Sequence, residues 1–184
     1  MPLEALVDGL SANPALPSAM VERLLRYGQG FGRVAGRPDL SAGQVEAILG
    51  STHPWLRRTL ALNEHLDAAV RLRLAADDDP AIRRAVAGRA PASARELFER
   101  LIRDPAPDVR RELARTDRVP HDLRARLAHE PDPDVRAELA KWWTQAPEPA
   151  RRTLLTDPEN RVRAAASPAL PAAEMERILT LAGV

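Results

Sequence analysis

The chain contains no cysteine, which excludes a disulfide framework, a thiolate metal site and a cysteine nucleophile. It is almost without lysine as well. Lys141 is the single one, so nearly all the positive charge is guanidinium, a group suited to bidentate pairing and stacking. Lys and Arg number 27 against 26 Asp and Glu, a net charge of +1, too small to draw the chain onto a polyanion through its overall field. Aromatic residues make up only 3%, so each tryptophan has to be placed individually. No apolar run approaches the ~20 residues needed to span a bilayer, and no charged-then-apolar leader opens the sequence. The four histidines, His53, His65, His121 and His129, show neither i, i+4 nor HExxH pairing, the spacing a zinc site would need. Asp77-Asp78-Asp79 lacks the alternation and glycine of a calcium loop and reads as a turn at a helix N-terminus. The absences together predict a soluble, cytoplasmic protein with no membrane contact, metal or cofactor.

What the sequence has is repetition. The stretch DDDPAIRRAVA, residues 77–87, recurs in variant form, and aligning on an apolar-Arg pair gives Leu56-Arg57, Ile82-Arg83, Val109-Arg110, Val135-Arg136 and Val162-Arg163. The arginines step by 26, 27, 26 and 27 residues, and a fixed period of that size is the signature of a solenoid. Four residues after each anchor stand Leu60, Val86, Leu113, Leu139 and Ala166, one helical turn along the same face. Pro54, Pro80, Pro107 and Pro133 each precede the arginine by three residues, where a helix start tolerates the missing N–H. Six residues before each Arg lie Ser51, Asp77, Asp104, Glu130 and Asp157, so an acid–Arg ladder between stacked units follows. The second half of each unit is a longer amphipathic helix, as in Leu97, Phe98, Leu101 and Ile102, or Val45, Ile48 and Leu49. One unit is thus helix, turn, helix; a single pair cannot bury both faces, whereas stacked pairs share a core.

The segments Asp104-Pro105 through Val109-Arg110 to Leu113-Ala114, and Glu130-Pro131 through Val135-Arg136 to Leu139-Ala140, resemble the leucine-rich variant repeats and, more loosely, HEAT repeats. The resemblance covers roughly residues 51–182. It implies an all-α, right-handed α-solenoid of about six to seven helix-pair repeats, here a single domain over 1–184 with degenerate repeats and a cap in 1–50 and regular repeats in 51–184. In HEAT-like families the matching Asp and Arg hold neighbouring repeats together, a role the resemblance lends to Asp77, Arg83, Asp104, Arg110, Asp157 and Arg163, with Glu130 and Arg136 completing the ladder. A known member of the variant-repeat group carries an iron–sulfur cluster on an added cysteine domain; a cysteine-free chain cannot inherit that.

Departures from the repeat are where function is expected, because stacking does not explain them. Counting back from Leu56 by one period lands on Gly30, inside YGQGFGRVAGR (27–37), where Gly28, Gly30 and Gly32 make a regular helix costly. That break reads either as a turn patching a degenerate repeat or as a partner loop using Tyr27, Phe31 and Arg33; no GK[ST] follows, so a phosphate loop is excluded. Trp55 stands in a column otherwise filled by Ala81, Asp108, Asp134 and Arg161, which predicts partial exposure. Arg58, Arg84 and Arg111 occupy the position after the ladder arginine, about 200° from the anchor, as either an anion-gripping edge or a solvated face neutralised by neighbours such as Asp108 and Glu112. Of Trp142 and Trp143, one is expected in the core and one at its rim. Met175 to Val184 ends the array with apolar residues where a polar cap is expected, suggesting cover by a second copy.

The leading functional reading is a non-catalytic scaffold for a protein or peptide partner. Nucleic-acid binding is the alternative, including the HEAT-like glycosylases of alkylated bases, whose catalytic Asp cannot be matched to any residue here. An accessory role to an enzyme is the third; no Ser-His-Asp order or paired-carboxylate motif supports catalysis.

Overall fold

The structure, a computed structural model, describes residues 9–11, 13, 15–27, 32–167 and 172–182. Two compact units divide the chain, Met1–Leu101 and Ile102–Val184, and among the described residues neither contains a strand. The first unit runs α1 (Ser18–Tyr27), a 3-10 helix (Gly32–Gly36), α2 (Ala42–Leu49), α3 (Pro54–Ala61), α4 (Ala68–Leu74), α5 (Pro80–Arg89) and α6 (Arg95–Leu101). The second runs α7 (Pro107–Arg115), α8 (His121–Arg126) extended by a 3-10 turn (Leu127–His129), α9 (Pro133–Trp142), α10 (Glu148–Leu155), α11 (Asn160–Ala166) and α12 (Ala172–Ala182). The fold class is the all-α solenoid of helix pairs that the period demands.

Local chemistry sets the boundaries. Pro54, Pro80, Pro107 and Pro133 open α3, α5, α7 and α9, where the absent N–H has no helical partner to lose. The side chains of Asp79 and Asp132 accept the N–H of Ala81 and Asp134, two residues on, turning the chain into the helix. The second helices start differently. Ser41 and Gln44 exchange side-chain and backbone bonds as a capping box before α2, and Asp67 accepts from the Val70 N–H before α4; each such cap is worth about 1 kcal/mol.

Packing follows columns one period apart. The anchors Leu56 and Ile82 in the first unit, and Val109, Val135 and Val162 in the second, are all buried, as are Leu60 and Val86, and Leu113, Leu139 and Ala166, one turn further. Directly after them runs a column of alanines, Ala35, Ala61 and Ala87 in one unit and Ala114 and Ala140 in the other, all buried. It keeps consecutive first helices close, and a larger side chain there would overpack the contact. In the first unit α3 packs against both the Gly32–Gly36 helix and α5, and in the second α9 packs against α7 and α11. Ile48, Leu74 and Leu101, and Leu127 and Leu154, supply the core from the second helices.

The glycine-rich break is part of this scheme. Residues 28–31, and with them Phe31, lie outside the described set, but Val34 and Ala35 in the 3-10 helix are completely buried and sit 26 residues before Leu60 and Ala61. A short 3-10 helix therefore fills the first-helix place of the degenerate repeat. In the N-terminal segment residues 9–11 are helical, while 1–8 and 12 lie outside the described set.

Candidate functional site

Two arginine systems hold the repeats, and a third set is left on the surface. In the first system each ladder arginine grips two things at once. Arg57 donates from Nη1 to the Ser51 carbonyl at 2.6 Å and from Nε and Nη2 to the Asp77 carboxylate at 2.7 and 3.1 Å. Arg136 does the same with the Glu130 carbonyl at 2.6 Å and the Asp157 carboxylate at 2.6 and 3.0 Å. Arg110 binds the Asp104 carbonyl at 2.6 Å and Glu130 Oε2 at 2.9 Å. Arg83 and Arg163 donate to the carbonyls of Asp77 and Asp157 respectively. Asp77, Glu130 and Asp157 are thus each bound twice: the carbonyl by its own repeat's arginine, and the carboxylate by the arginine of the preceding repeat. The carboxylates of Asp77, Asp104 and Asp157 also accept the N–H two residues on, which fixes the turn before the next helix.

Electrostatics follow the geometry. Hydrogen bonds from Arg136, opposed by burial, hold the Asp157 carboxyl below its ordinary range, and Arg136 is raised in turn, first by its hydrogen bond to Asp157. At Asp77 burial pushes the carboxyl up, but the bonds from Arg57 and the Asp79 N–H outweigh it and the result is a lowered value.

The second system was not anticipated from the sequence. Arg71 and Arg124, on the second helices α4 and α8, are both 3% exposed. Arg71 donates to the carbonyls of Asn63, Glu64 and Arg89, at the C-terminal ends of α3 and α5. Arg124 donates from Nη2 to Ala114 and Trp142, at the ends of α7 and α9, and lies 5.3 Å over the Trp143 ring. Arg124 clamps late carbonyls of two consecutive first helices, and Arg71 clamps the Arg89 carbonyl ending α5 together with two in the turn that follows α3, where a cation also opposes the dipole. Burial pulls Arg124 below its usual value. The two are 53 residues apart, two periods, and Leu97 holds the position between them, so the gap hid the column from a scan for period.

The surface set is where the two units differ. Trp55 is half-buried, with the His53 ring 6.1 Å away, and Arg58 and Arg84 are exposed. The Arg58 guanidinium has no ion pair or hydrogen bond among the described residues. In the second unit the same two columns are filled by a charge network: Arg111 reaches Asp108 at 3.0 Å and Asp134 at 3.4 Å, and Asp134 also accepts from Arg161. Arg111 is therefore committed to its own unit. Arg33 is exposed in the 3-10 helix, Tyr27 closes α1 with its side chain outside the described set, and a cavity of about 580 Å³ bordered by Glu22, Arg26, Gln44, Ser51 and His53 opens beside α3. Of the tryptophan pair, Trp143 is the core member and Trp142 is 52% exposed. Among the described residues no cluster of His, Asp and Glu suits a metal ion, and no helix is long and apolar enough to cross a membrane.

The comparisons agree with the architecture. No protein-family model matches the sequence, and no curated protein matches it. A solved structure described as a leucine-rich repeat variant with a novel repetitive protein structural motif is similar, with a TM-score of 0.67 at 25% identity over 89% of this chain. The chain spans 64% of that protein's length. The fold is thus that of a leucine-rich-variant-type repeat.

Proposed function

We propose that the chain is a non-catalytic binding scaffold that engages a protein or peptide partner along the first-helix edge of the unit 1–101, through Trp55, Arg58 and Arg84 with Arg33 beside them. One observation carries the reading: where the second unit has a charge network at Asp108, Arg111 and Asp134, the first has a half-buried tryptophan, Trp55, and an exposed arginine, Arg58, with no ion partner among the described residues. Aromatic and arginine side chains are the types that anchor interfaces, and repeat folds serve as extended surfaces for partners. Arg111, tied to Asp108 and Asp134, belongs outside this edge. The absence of cysteine fits a reducing, cytoplasmic setting.

The test is capture of interacting proteins from the native cell by the full chain and by the variants Trp55→Ala and Arg58→Ala/Arg84→Ala, with circular dichroism confirming that all are folded. Loss of the same partner in both variants supports the edge; retention in both refutes it. Self-association through α12 is a second reading, carried by Met175 and Leu179, which are 42% and 47% exposed on that helix. Light scattering tests it: a monomer at all concentrations removes it.

A further inference from the structure

We propose that Arg163, the last ladder arginine, is an open carboxylate receptor, and that its ligand is an Asp or Glu in the helix-entering turn of a partner protein that stacks on α11 as a further repeat would. Three rungs define the geometry. Arg57, Arg110 and Arg136 each present Nε to a carboxylate 20 or 21 positions on, at 2.7, 2.9 and 2.6 Å. One such step from Arg163 falls on Gly183 or Val184, neither of which has a side-chain acid. The arginine is nonetheless set as its counterparts are. Its Nη1 donates to the carbonyls of Asp157 and Pro158, as Arg136 Nη1 does to those of Glu130 and Pro131, so the guanidinium is aimed before a ligand arrives and has little freedom left to lose. Its Nε has no partner among the described residues, and its Nη2, which in Arg57 and Arg136 takes the second carboxylate oxygen, meets only the neutral side-chain oxygen of Asn160. Asn160 itself replaces the helix-opening proline, 27 residues after Pro133.

Nearby acids do not close the rung. Asp157 gives both carboxylate oxygens to Arg136, and its carboxylate feels Arg163 only through charge; Glu159 makes no ion pair with Arg163 among the described residues. The helix face around it is open. Ala164 and Ser167 are exposed, whereas Ala140, one period before Ser167 on the helix that packs against α11, is buried. Small side chains there admit another helix as closely as the alanine column does inside the stack. A second copy is the poorer occupant, because the acids of this column are committed: Asp77 to Arg57, Glu130 to Arg110 and Asp157 to Arg136, while Asp104 has contacts of its own. The partner therefore brings its own acid. Asp77, Asp104 and Asp157 each also accept the N–H two residues on, so the fitting ligand is a carboxylate held in a tight turn, gripped through two parallel N–H bonds.

The experiment follows the arginine Nε–Hε NMR signals of the full chain during titration with acetylated, amidated Asp-Pro-Ala-Pro, the turn sequence of residues 104–107, and with Asn-Pro-Ala-Pro. Arg163→Lys and Arg58→Lys identify the two signals that matter. The Asp peptide should move the Arg163 signal saturably, at severalfold lower concentration than it moves that of Arg58, an exposed arginine with no hydrogen bond among the described residues. The Asn peptide should move neither. Asn160→Asp, which sets a carboxylate on Nη2 and suits a helix N-terminus, should abolish the response of Arg163. Absence of a saturable Arg163 shift, equal responses of Arg163 and Arg58, an equal shift by the Asn peptide, or a full response in Asn160→Asp overturns the proposal. A shift of the Arg163 signal with protein concentration alone assigns the rung to a second copy and overturns it as well.

Discussion

Replacing Arg136 by alanine removes one rung of the ladder, and the structure allows its cost to be worked out. The side chains of Arg136 and Asp157 are only 12% and 4% exposed, so the rung behaves as a largely buried pair. The substitution deletes two bonds to the Asp157 carboxylate and those to the carbonyls of Glu130 and Pro131. Removing one partner of a buried pair costs about 3–5 kcal/mol, because the other charge stays desolvated. Asp157 keeps the N–H of Glu159 and Arg136 is not fully dry, which places the loss at the low end, about 3 kcal/mol. For a chain of this size that corresponds to a fall in Tm of roughly 6–12 °C. The pH dependence has a definite sign. The folded Asp157 pKa lies below the ordinary 3.8, so its contribution is fully present above that value and is lost as pH falls through the lower folded value. The gap between the parent and Arg136→Ala should therefore be constant near neutrality and shrink below about pH 4. Urea titration followed by the fluorescence of Trp142 and Trp143, in and beside the helix that carries Arg136, reads it directly. An unchanged Tm, or a gap that widens in acid, would refute the reasoning.

Other consequences can be checked in the same assay. Trp143→Ala should cost about 3–5 kcal/mol as a buried aromatic deletion, while Trp142→Ala stays within ~0.5 kcal/mol, and comparable losses would contradict the assigned burial. Arg124→Ala should lower stability by about 2 kcal/mol by stranding the carbonyls of Ala114 and Trp142, with no rescue by lysine, which cannot span both helix ends. Asp67→Ala should cost about 1 kcal/mol through the lost cap of α4, and replacement by Ser or Asn should restore most of it.

Legibility in the sequence followed the period. The anchors, the turn-on apolar column and the ladder residues recur every 26 or 27 positions, so their helices and inward faces could be read before any coordinate was known. The spacing pointed to a ladder between stacked units but not to its two-sided form, in which an acid such as Asp157 gives its carbonyl to its own repeat's arginine and its carboxylate to that of the previous repeat. The Arg71 and Arg124 clamp escaped because Leu97 interrupts its column, and because an arginine amid helical polar residues looks like a solvated face until the helix ends it reaches are known. The alanine column was hidden by its ordinariness, since alanine is at home anywhere in a helix. The three arginines after the ladder looked equivalent in sequence. Arg111 and Arg58 differ through the residue one repeat on, Asp134 for Arg111 and Ala81 for Arg58, which only spatial adjacency brings together.

The central claim is a division of labour: consensus residues hold the stack and departures from consensus bind. Measuring urea midpoint and affinity for the captured partner side by side for Arg58→Ala and for Arg136→Ala tests it most directly. The account predicts a parental midpoint with weakened binding for the first, and a lowered midpoint with parental affinity, measured below the unfolding transition, for the second. If the edge variant loses stability and keeps its affinity, or the ladder variant keeps its stability and loses binding, the division is wrong.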